Sequence, residues 1–276
     1  MLTLVAGTGY TGRRVLELLP AAEALGLSRS AIDTERPFEL VDFDALESLP
    51  VELPDDYSVL YTCPPDGETD QRLRRFIAAL PHEPARFVYI STTGVYGDCH
   101  GALVSEEAPV KPNSRMSKPR VDAETFLAGW TERLVILRVP GSYGPGRLGI
   151  ERLKTGEASL RESEANPGNR IHVDDLVACC IAALSPETPA GIYNVGDGDH
   201  RSATWFAGEV ARQAGLEPPR EISRAQAAQE FSPMRLAFLA SSRKVDTTKM
   251  RDILGITPMT PEDGIRQSLT AGNAST

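Results

Sequence analysis

The chain has 276 residues, of which 41% are hydrophobic and 24% charged, and its formal net charge is −9. This composition is that of a soluble globular protein with an ample core, in one large domain or a domain with a lobe. The negative charge disfavours nucleic acid or an anionic membrane as the main partner, and no apolar run approaches the ~18 residues of a membrane span. A strand pattern begins at residue 2, so we expect no signal peptide, a cytoplasmic location and reduced cysteines.

The first twelve residues carry a dinucleotide fingerprint. An apolar strand pattern over 2–6 runs into a G-x-G-x-x-G segment, and a helical pattern follows. In this context the first glycine permits a tight turn, the second lets the backbone approach a pyrophosphate, and the third lets helix and strand pack closely. Free N–H groups at the helix N-terminus suit the anion. The residues predicted to bind the dinucleotide are Gly7, Thr8, Gly9, Tyr10, Thr11 and Gly12. A glycine-rich turn without a ligand is the alternative.

The end of the second predicted strand, Ala24–Ser28, indicates which dinucleotide is bound. A carboxylate near this point would bond the adenosine ribose of NAD, whereas an arginine accommodates the 2′-phosphate of NADP. No carboxylate follows the strand, which is closed by Arg29 and Ser30. We expect Arg29 to make a bidentate contact with phosphate and Ser30 to be a second donor. NADP is therefore favoured, with NAD as the alternative cofactor and a solvated loop arginine as the alternative role.

The later elements alternate between strands and helices. Further strands are predicted at 38–42, 57–62, 86–90 and 134–139, and helices at 69–80, 119–131, 176–184, 204–214 and 262–269. A short helix is also expected after the Asp-rich turn that follows the third strand. This alternation predicts an α/β fold, a Rossmann-type doubly wound parallel sheet with ligands at the carboxyl ends of its strands. We assign residues 1–147 and 170–196 to the dinucleotide-binding domain, and 148–169 and 197–276 to a small C-terminal substrate lobe.

Four further segments fall at predicted strand ends or beyond them. They are STTGVYGD (91–98), PGSYGPGR (140–147), RIHVDDL (170–176) and GIYNVGDG (191–198). With these motifs the chain resembles the extended short-chain dehydrogenase/reductase superfamily, specifically its NAD-dependent epimerase/dehydratase group, from Leu2 to about Leu269. The resemblance implies a small-molecule substrate and a monomer or homodimer. In this interpretation Asp42 is the candidate contact to adenine, and the residues that cover the nicotinamide are Pro140, Gly141 and Ser142.

The same resemblance implies a catalytic set. The family reduces or oxidises a carbon with a Ser or Thr hydroxyl that polarises the substrate oxygen and a tyrosine that transfers the proton. A lysine lowers the pKa of that phenol and holds the nicotinamide ribose. In this sequence the hydroxyl position falls on Thr92.

The tyrosine of that set is missing. Anchoring the family's Tyr-x-x-x-Lys motif on Ala123-Glu124 puts Arg120 at the lysine position and Met116 at the tyrosine position. The other register pairs Ser114 with Lys118. Neither register contains a tyrosine, and a methionine has no proton to transfer. Arginine greatly outnumbers lysine in this chain, so Arg120 is compatible with the cofactor-binding role of the lysine.

Three side chains are candidate replacements for the missing acid. Tyr143 lies in a loop that passes the nicotinamide in relatives, Tyr96 follows the strand that ends at Thr92, and His100 lies near the mouth of the expected site. For each phenol the alternative is packing, and for the histidine it is a solvated loop.

The RIHVDDL segment offers further candidates. Arg170 is a candidate ligand for an anionic substrate group, and His172 is expected to bond to backbone. Asp174 and Asp175 are expected to cap the following helix. No metal site is expected, because no partner His or Cys stands at suitable spacing from His172.

These observations lead to one main hypothesis and two alternatives. The main hypothesis is an NADP-binding epimerase/dehydratase-like reductase with an atypical active site, in which Thr92 and Arg120 face the nicotinamide and Tyr143 is a candidate acid. The substrate would be a small carbonyl or hydroxyl compound, since residues 148–169 leave little room for a nucleotide-sugar. The first alternative is a non-catalytic NADP-binding sensor or partner-binding protein. The second is a degenerate Rossmann protein that binds no nucleotide.

Overall fold

A seven-stranded parallel sheet forms the centre of the molecule. The computed structural model describes residues 1–273. Its strands are β1 (Leu2–Ala6), β2 (Ala24–Ser28), β3 (Phe38–Leu40), β4 (Tyr57–Tyr61), β5 (Arg86–Thr92), β6 (Leu103–Val104), β7 (Leu134–Val139), β8 (Gly141–Tyr143), β9 (Ser159–Leu160), β10 (Arg170–His172), β11 (Gly191–Asn194), β12 (Glu221–Ile222) and β13 (Lys244–Val245). Its helices are α1 (Tyr10–Leu18), α2 (Gln71–Ala78), α3 (Lys118–Trp130), α4 (Ile150–Lys154), α5 (Val173–Leu184), α6 (Ala203–Ala214), α7 (Arg224–Glu230), α8 (Pro233–Leu239), α9 (Thr248–Leu254) and α10 (Pro261–Asn273).

The strand order of the main sheet is β11-β7-β5-β4-β1-β2-β3, with every neighbouring pair parallel. The chain therefore winds outward from β1 in both directions, and the reversal lies between β1 and β4. Open α/β sheets bind ligands at this reversal, outside the carboxyl ends of the strands. The predicted Rossmann-type doubly wound fold is confirmed. The remaining strands form three two-stranded ladders, β10–β8, β12–β9 and β13–β6.

Two apolar layers bury the two faces of the sheet. Side chains alternate between faces along a strand, and on β1 this places Val5 in one core cluster and Leu4 with Ala6 in the other. The first cluster includes side chains of α1 and α5, and the second includes those of α2 and α3. A parallel sheet covered on both faces has nearly continuous apolar strands, which is why β1, β2 and β7 have the predicted bounds.

The predicted helix after β3 is wrong. Residues 43–50 form turns and bends instead. The Asp42 carboxylate accepts a hydrogen bond from the backbone N–H of Asp44 at 3.0 Å, and the Asp42 carbonyl accepts one from Ala45. Phe43 is drawn into the core at 1% exposure. An aspartate that bonds its own downstream backbone favours a turn over a helix.

The C-terminal part of the chain has its own small core. Tyr143, Leu148, Val210 and Ile265 form a buried cluster apart from the two clusters on the sheet. The division into a dinucleotide-binding domain and a substrate lobe remains a prediction, and the lobe's last residues, 274–276, lie outside the described part. Over residues 1–273, no helix combines the length and apolar character needed to cross a membrane.

Candidate dinucleotide site

A cavity of about 360 Å³ lies at the carboxyl ends of β1, β2 and β4. Its walls include all of the predicted phosphate loop from Gly7 to Thr11, together with Arg29 and Ser30. The structure thus brings the predicted phosphate-binding residues together in the lining of one cavity. Further lining residues that the sequence did not single out are Ser28, Ile32, Phe43, Thr62, Cys63, Pro64, Arg72, Ile90 and Arg147.

The three glycines of the phosphate loop have different surroundings. Gly7 has a φ of +95°, and a Cβ there would lie 2.7 Å from the Thr62 hydroxyl oxygen. A Cβ on Gly12 would lie 2.0 Å from the carbonyl oxygen of Gly7, so only glycine lets α1 pack this closely on the loop. A Cβ on Gly9 would have no neighbour within 4 Å. The fold requires Gly7 and Gly12, whereas Gly9 leaves open space in the cavity wall.

The phosphate loop carries polar groups that lack a hydrogen-bond partner within residues 1–273. Thr8 is only 7% exposed, and within residues 1–273 its hydroxyl has no hydrogen-bond partner. Helix α1 begins at Tyr10 with Gly9 as its N-cap, without a side-chain cap and without an acidic residue in its first turn. An uncapped helix N-terminus leaves backbone N–H groups unsatisfied. A buried free hydroxyl beside these groups fits an anionic ligand such as a diphosphate.

Two arginines of the cavity lining differ in whether their side chains already bond to the protein. The Arg72 guanidinium donates to Asp44 at 2.8 Å and to the Pro64 carbonyl at 2.9 Å, so it is held by the protein itself. Arg29 is exposed and, within the described chain, its side chain has no hydrogen bond or ion pair. The neighbouring Ser28 hydroxyl donates to the Ser30 carbonyl at 2.6 Å, which shapes the turn after β2. Arg29 is therefore available to a ligand and Arg72 is not.

The turn after β3 decides which side chain of this segment lines the cavity. Phe43 lines it, while the Asp42 carboxylate bonds the backbone of Asp44 and is not part of the lining. The adenine contact expected of Asp42 remains a prediction.

The nicotinamide-side residues lie beyond the wall of this cavity. One Arg120 nitrogen (Nη1) donates to the Ile90 carbonyl at 2.6 Å and to the Tyr89 hydroxyl at 3.1 Å. Ile90 is itself part of the cavity lining. Lys118 is exposed on the surface, so the geometry favours the register anchored on Ala123-Glu124. In that register Met116 takes the tyrosine position, and its side chain is 64% exposed.

The other residues expected near the nicotinamide are also outside the lining. Thr92 is half-buried, and its hydroxyl accepts a hydrogen bond from the Gly94 N–H at 3.1 Å. Pro140 links β7 to β8, and Gly141 and Ser142 are the first two residues of β8. Their roles toward a nicotinamide remain predictions.

The tyrosines are nearly all buried in the fold. Of the seven tyrosines, all but Tyr10 are at most 4% exposed. Tyr143 packs edge-on against His172 and Phe206, with ring centres 5.2 and 5.0 Å apart. Burial raises its pKa above the usual phenol value. The Tyr143 ring is thus packed in the core of the C-terminal part, and its catalytic role remains a prediction.

Tyr96 is likewise held inside the protein. Its hydroxyl donates to Asn194 at 2.6 Å and accepts from Arg138 at 2.9 Å. Burial raises the pKa of Tyr96, although Arg138 partly offsets the effect. The third candidate, His100, lies beside Asp98, and its side chain is 90% exposed. This is the solvated loop position given above as the alternative for His100.

Glu124 and Arg138 form a buried ion pair that the sequence did not reveal. Their side chains are 8% and 3% exposed, and the closest nitrogen–oxygen distance is 2.7 Å. The Ser91 hydroxyl donates to the same carboxylate at 2.5 Å. The pair therefore joins α3 to β5 and β7, and the glutamate used to place the motif register is a structural residue.

Two expectations for the segment 170–176 are corrected. Arg170 is 7% exposed and bonds to Asp199 at 3.2 Å and to the Ser202 carbonyl at 3.1 Å, so it is not free for a substrate. The cap of α5 is His172, whose Nδ1 accepts from the Asp174 N–H at 3.2 Å. The predicted backbone bond of His172 is confirmed, and the predicted capping role of Asp174 and Asp175 is wrong because the helix begins at Val173, three residues before the predicted start.

The sheet order, with its reversal between β1 and β4, defines a Rossmann-type doubly wound fold. Residues 71–196, a little under half of the chain, match the model of the NAD dependent epimerase/dehydratase family. This match confirms, over those residues, the resemblance predicted from the sequence.

Similar proteins include one curated relative and two solved structures of note. Protein YeeZ of Escherichia coli (strain K12) is 31% identical over 145 residues, which are 52% of this chain and 51% of the relative. The chain thus spans about half the length of the curated relatives it matches. A functionally unknown conserved protein from Silicibacter pomeroyi has a TM-score of 0.80 and 26% identity, with complete coverage of both chains. MoeE5 in complex with UDP-glucose and NAD has a TM-score of 0.78 at 19% identity over 100% of this chain and 99% of that one, a likeness in fold alone.

Proposed function

We propose that this chain binds NADP(H) and carries out hydride chemistry on a small carbonyl or hydroxyl compound without a phenolic acid. The observation that carries the proposal is the unpartnered Arg29 at the end of β2, on the wall of a cavity whose phosphate loop also has unused donors. NAD-specific sites of this fold place a carboxylate at that point. A guanidinium instead matches the two oxygens of a phosphate.

Residues of the cavity and beside it offer groups for each part of the cofactor. The Thr8 hydroxyl and the N-terminus of α1 suit the diphosphate, and Arg29 with Ser30 suits the 2′-phosphate. Arg120 is outside the lining but bonds to the carbonyl of Ile90, which is part of it, and we assign it to the nicotinamide ribose. When bound, the nicotinamide supplies or accepts a hydride.

The protein's own groups then limit the chemistry. The Thr92 hydroxyl orients and polarises the substrate oxygen, and the positive charge of Arg120 stabilises negative charge near it. Arginine stays protonated at any ordinary pH, so it cannot supply the proton that a tyrosine would. Because Met116 has no proton either, the proton comes from solvent. The reaction is therefore slower than one with a positioned acid, since such an acid contributes roughly 10²–10⁴-fold.

The test combines binding and turnover. Parent protein is titrated with NADPH, and NADPH oxidation is then followed with a panel of small aldehydes, ketones and sugars. We expect tight binding, slow turnover with some panel members and a rate that does not follow a phenol-like pKa. A variant that carries Met116→Tyr and Arg120→Lys is expected to turn over faster. Failure of NADPH to bind, or a parental rate controlled by a single group of phenol-like pKa, would contradict the proposal.

A non-catalytic NADP-binding sensor is a second candidate, and the burial of the phenols favours it. The six buried tyrosines leave no acid at the expected position. Tight NADPH binding with no hydride transfer across the whole panel, in the parent and in the double variant alike, would support the sensor over the enzyme.

A further inference from the structure

A second arginine of the cavity lining, Arg147, makes no hydrogen bond or ion pair through its guanidinium within residues 1–273. Arg147 follows β8, and its guanidinium carbon lies 3.8 Å from the centre of the Tyr10 ring. Five N–H donors are thus presented beside the first residue of α1 without a protein acceptor.

The position of this arginine is fixed by the backbone that carries it. The Tyr10 hydroxyl donates to the Pro145 carbonyl at 3.0 Å. Gly144 has a φ of +156°, and a Cβ there would lie 2.5 Å from the Tyr10 hydroxyl oxygen and 2.6 Å from a Val173 methyl carbon. On the other side, Leu148 is 8% exposed in the small core of the C-terminal part. The loop is therefore held between the phosphate loop and α5, and it presents Arg147 in one place.

Two of the three charged groups that act on Tyr10 are arginines, Arg14 and Arg147, and the third is Asp174. Arg14 lies on the same ring at 4.0 Å, but its guanidinium also donates to the Tyr10 carbonyl at 2.8 Å. Arg14 thus bonds to the backbone of α1, whereas the guanidinium of Arg147 contacts only the Tyr10 ring within the described residues. Two like charges against one ring repel each other, and an anion between the loop and the N-terminus of α1 relieves that repulsion.

We propose that Arg147 binds the diphosphate bridge of the dinucleotide, and that Arg29 binds only the phosphate on the adenosine ribose. The inference rests on the proposed function, because it takes the cavity as the dinucleotide site. The two arginines divide the anionic groups of the ligand between them. Arg147 adds a side-chain ligand to the backbone donors of the phosphate loop.

Two small probes separate the roles. ADP carries the diphosphate without a 2′-phosphate, and 2′-AMP carries a 2′-phosphate without the diphosphate. Dissociation constants are measured by calorimetry for the parent and for Arg147→Met, which keeps an apolar stem over Tyr10 and removes the charge. Charge-assisted hydrogen bonds of this kind account for about tenfold or more in affinity. We expect ADP to bind at least about tenfold more weakly to Arg147→Met, and 2′-AMP to bind as in the parent.

Matched variants complete the design. Arg29→Ala is expected to weaken 2′-AMP and leave ADP unchanged. Arg13→Ala, which removes an arginine outside the cavity lining, is expected to change neither. Parental ADP affinity in Arg147→Met, or an equal loss for both probes, would overturn the assignment. A parent that binds neither ADP nor NADPH would overturn the proposed function instead.

Discussion

The adenosine side and the nicotinamide side of the site differ in how their polar groups are used. On the adenosine side, Arg29 and the Thr8 hydroxyl have no partner among residues 1–273, and Gly9 borders open space. On the nicotinamide side, Arg120 bonds to Ile90 and Tyr89, and the Thr92 hydroxyl accepts from Gly94.

Satisfied buried polar groups hold a fold together, whereas free ones at a cavity are available to a ligand. Under the proposed function, the cofactor would therefore bind through groups that are free in the fold, whereas Thr92 and Arg120 would act from positions that the protein itself already fixes. The buried phenol of Tyr96, bonded to Arg138 and Asn194, belongs to that second group. Variants on the two sides should therefore fail in different ways.

The largest expected effect is on stability, at the buried ion pair between Glu124 and Arg138. Removing one partner of a buried pair leaves the other charge uncompensated, which costs about 3–5 kcal/mol. We expect Glu124→Gln to lower the free energy of unfolding by an amount of this order in urea titrations, because Arg138 is only 3% exposed. Glu151→Gln removes a carboxylate from an exposed pair and is the control, with no measurable change expected. Equal stability of the two variants would show that the buried pair does not hold the strands.

The next effect is on binding, at the phosphate loop. A valine side chain at position 9 would project into the open space of the cavity, so Gly9→Val should weaken NADPH by about a hundredfold or more, ~2.7 kcal/mol. Its thermal unfolding should match that of the parent. The matched variant Gly12→Val should instead unfold at a lower temperature, because its Cβ would meet the Gly7 carbonyl at 2.0 Å. Parental affinity in Gly9→Val would mean that the cofactor does not use this loop.

A smaller effect concerns pH. Asp70 caps α2 with one carboxylate oxygen, and the other has no partner within residues 1–273. Burial raises its pKa from 3.8 to about 6, with Arg120 acting in the opposite direction. The folded state therefore favours the protonated form, and the stability that this proton provides is lost as pH rises from about 4 through 6.

Asp70→Asn keeps the cap and removes the charge, so its comparison with the parent isolates this group. We expect the variant to melt a few °C above the parent at pH 7 and at the same temperature as the parent near pH 4. Differential scanning calorimetry at both pH values measures the difference. A variant that melts below the parent at pH 7 would show that the ionised carboxylate stabilises the fold through Arg120.

The fold was predictable from local patterns, and the site only partly so. The apolar runs of β1, β2 and β7 are buried on both faces, and such strands appear in the sequence as consecutive apolar residues. The glycine spacing of the phosphate loop is also a local signal. The role of Arg147 depends on Tyr10, which is far away in the sequence, and no spacing rule joins them. The only hint of this role in the sequence is the arginine in the Pro-Gly-Arg turn after β8.

The differences from the expectations have two origins. At Asp42 the cause is local, because its carboxylate bonds the backbone of Asp44 and a turn forms where a helix is predicted. His172 caps α5 by accepting from the N–H of Asp174, and its ring is held by Ser268 from a distant helix. The burial of Tyr143 depends on packing against Phe206. These last two outcomes depend on tertiary contacts, which patterns along the chain do not contain.

The central claim is that the adenosine side binds the 2′-phosphate of NADP through a free Arg29. Equilibrium titration of the parent with NADPH and NADH, followed by nicotinamide fluorescence, tests it most directly. We predict an affinity for NADPH at least about tenfold higher than for NADH, ~1.4 kcal/mol, and loss of that preference in Arg29→Ala. Equal affinities for the two dinucleotides in the parent would contradict the account.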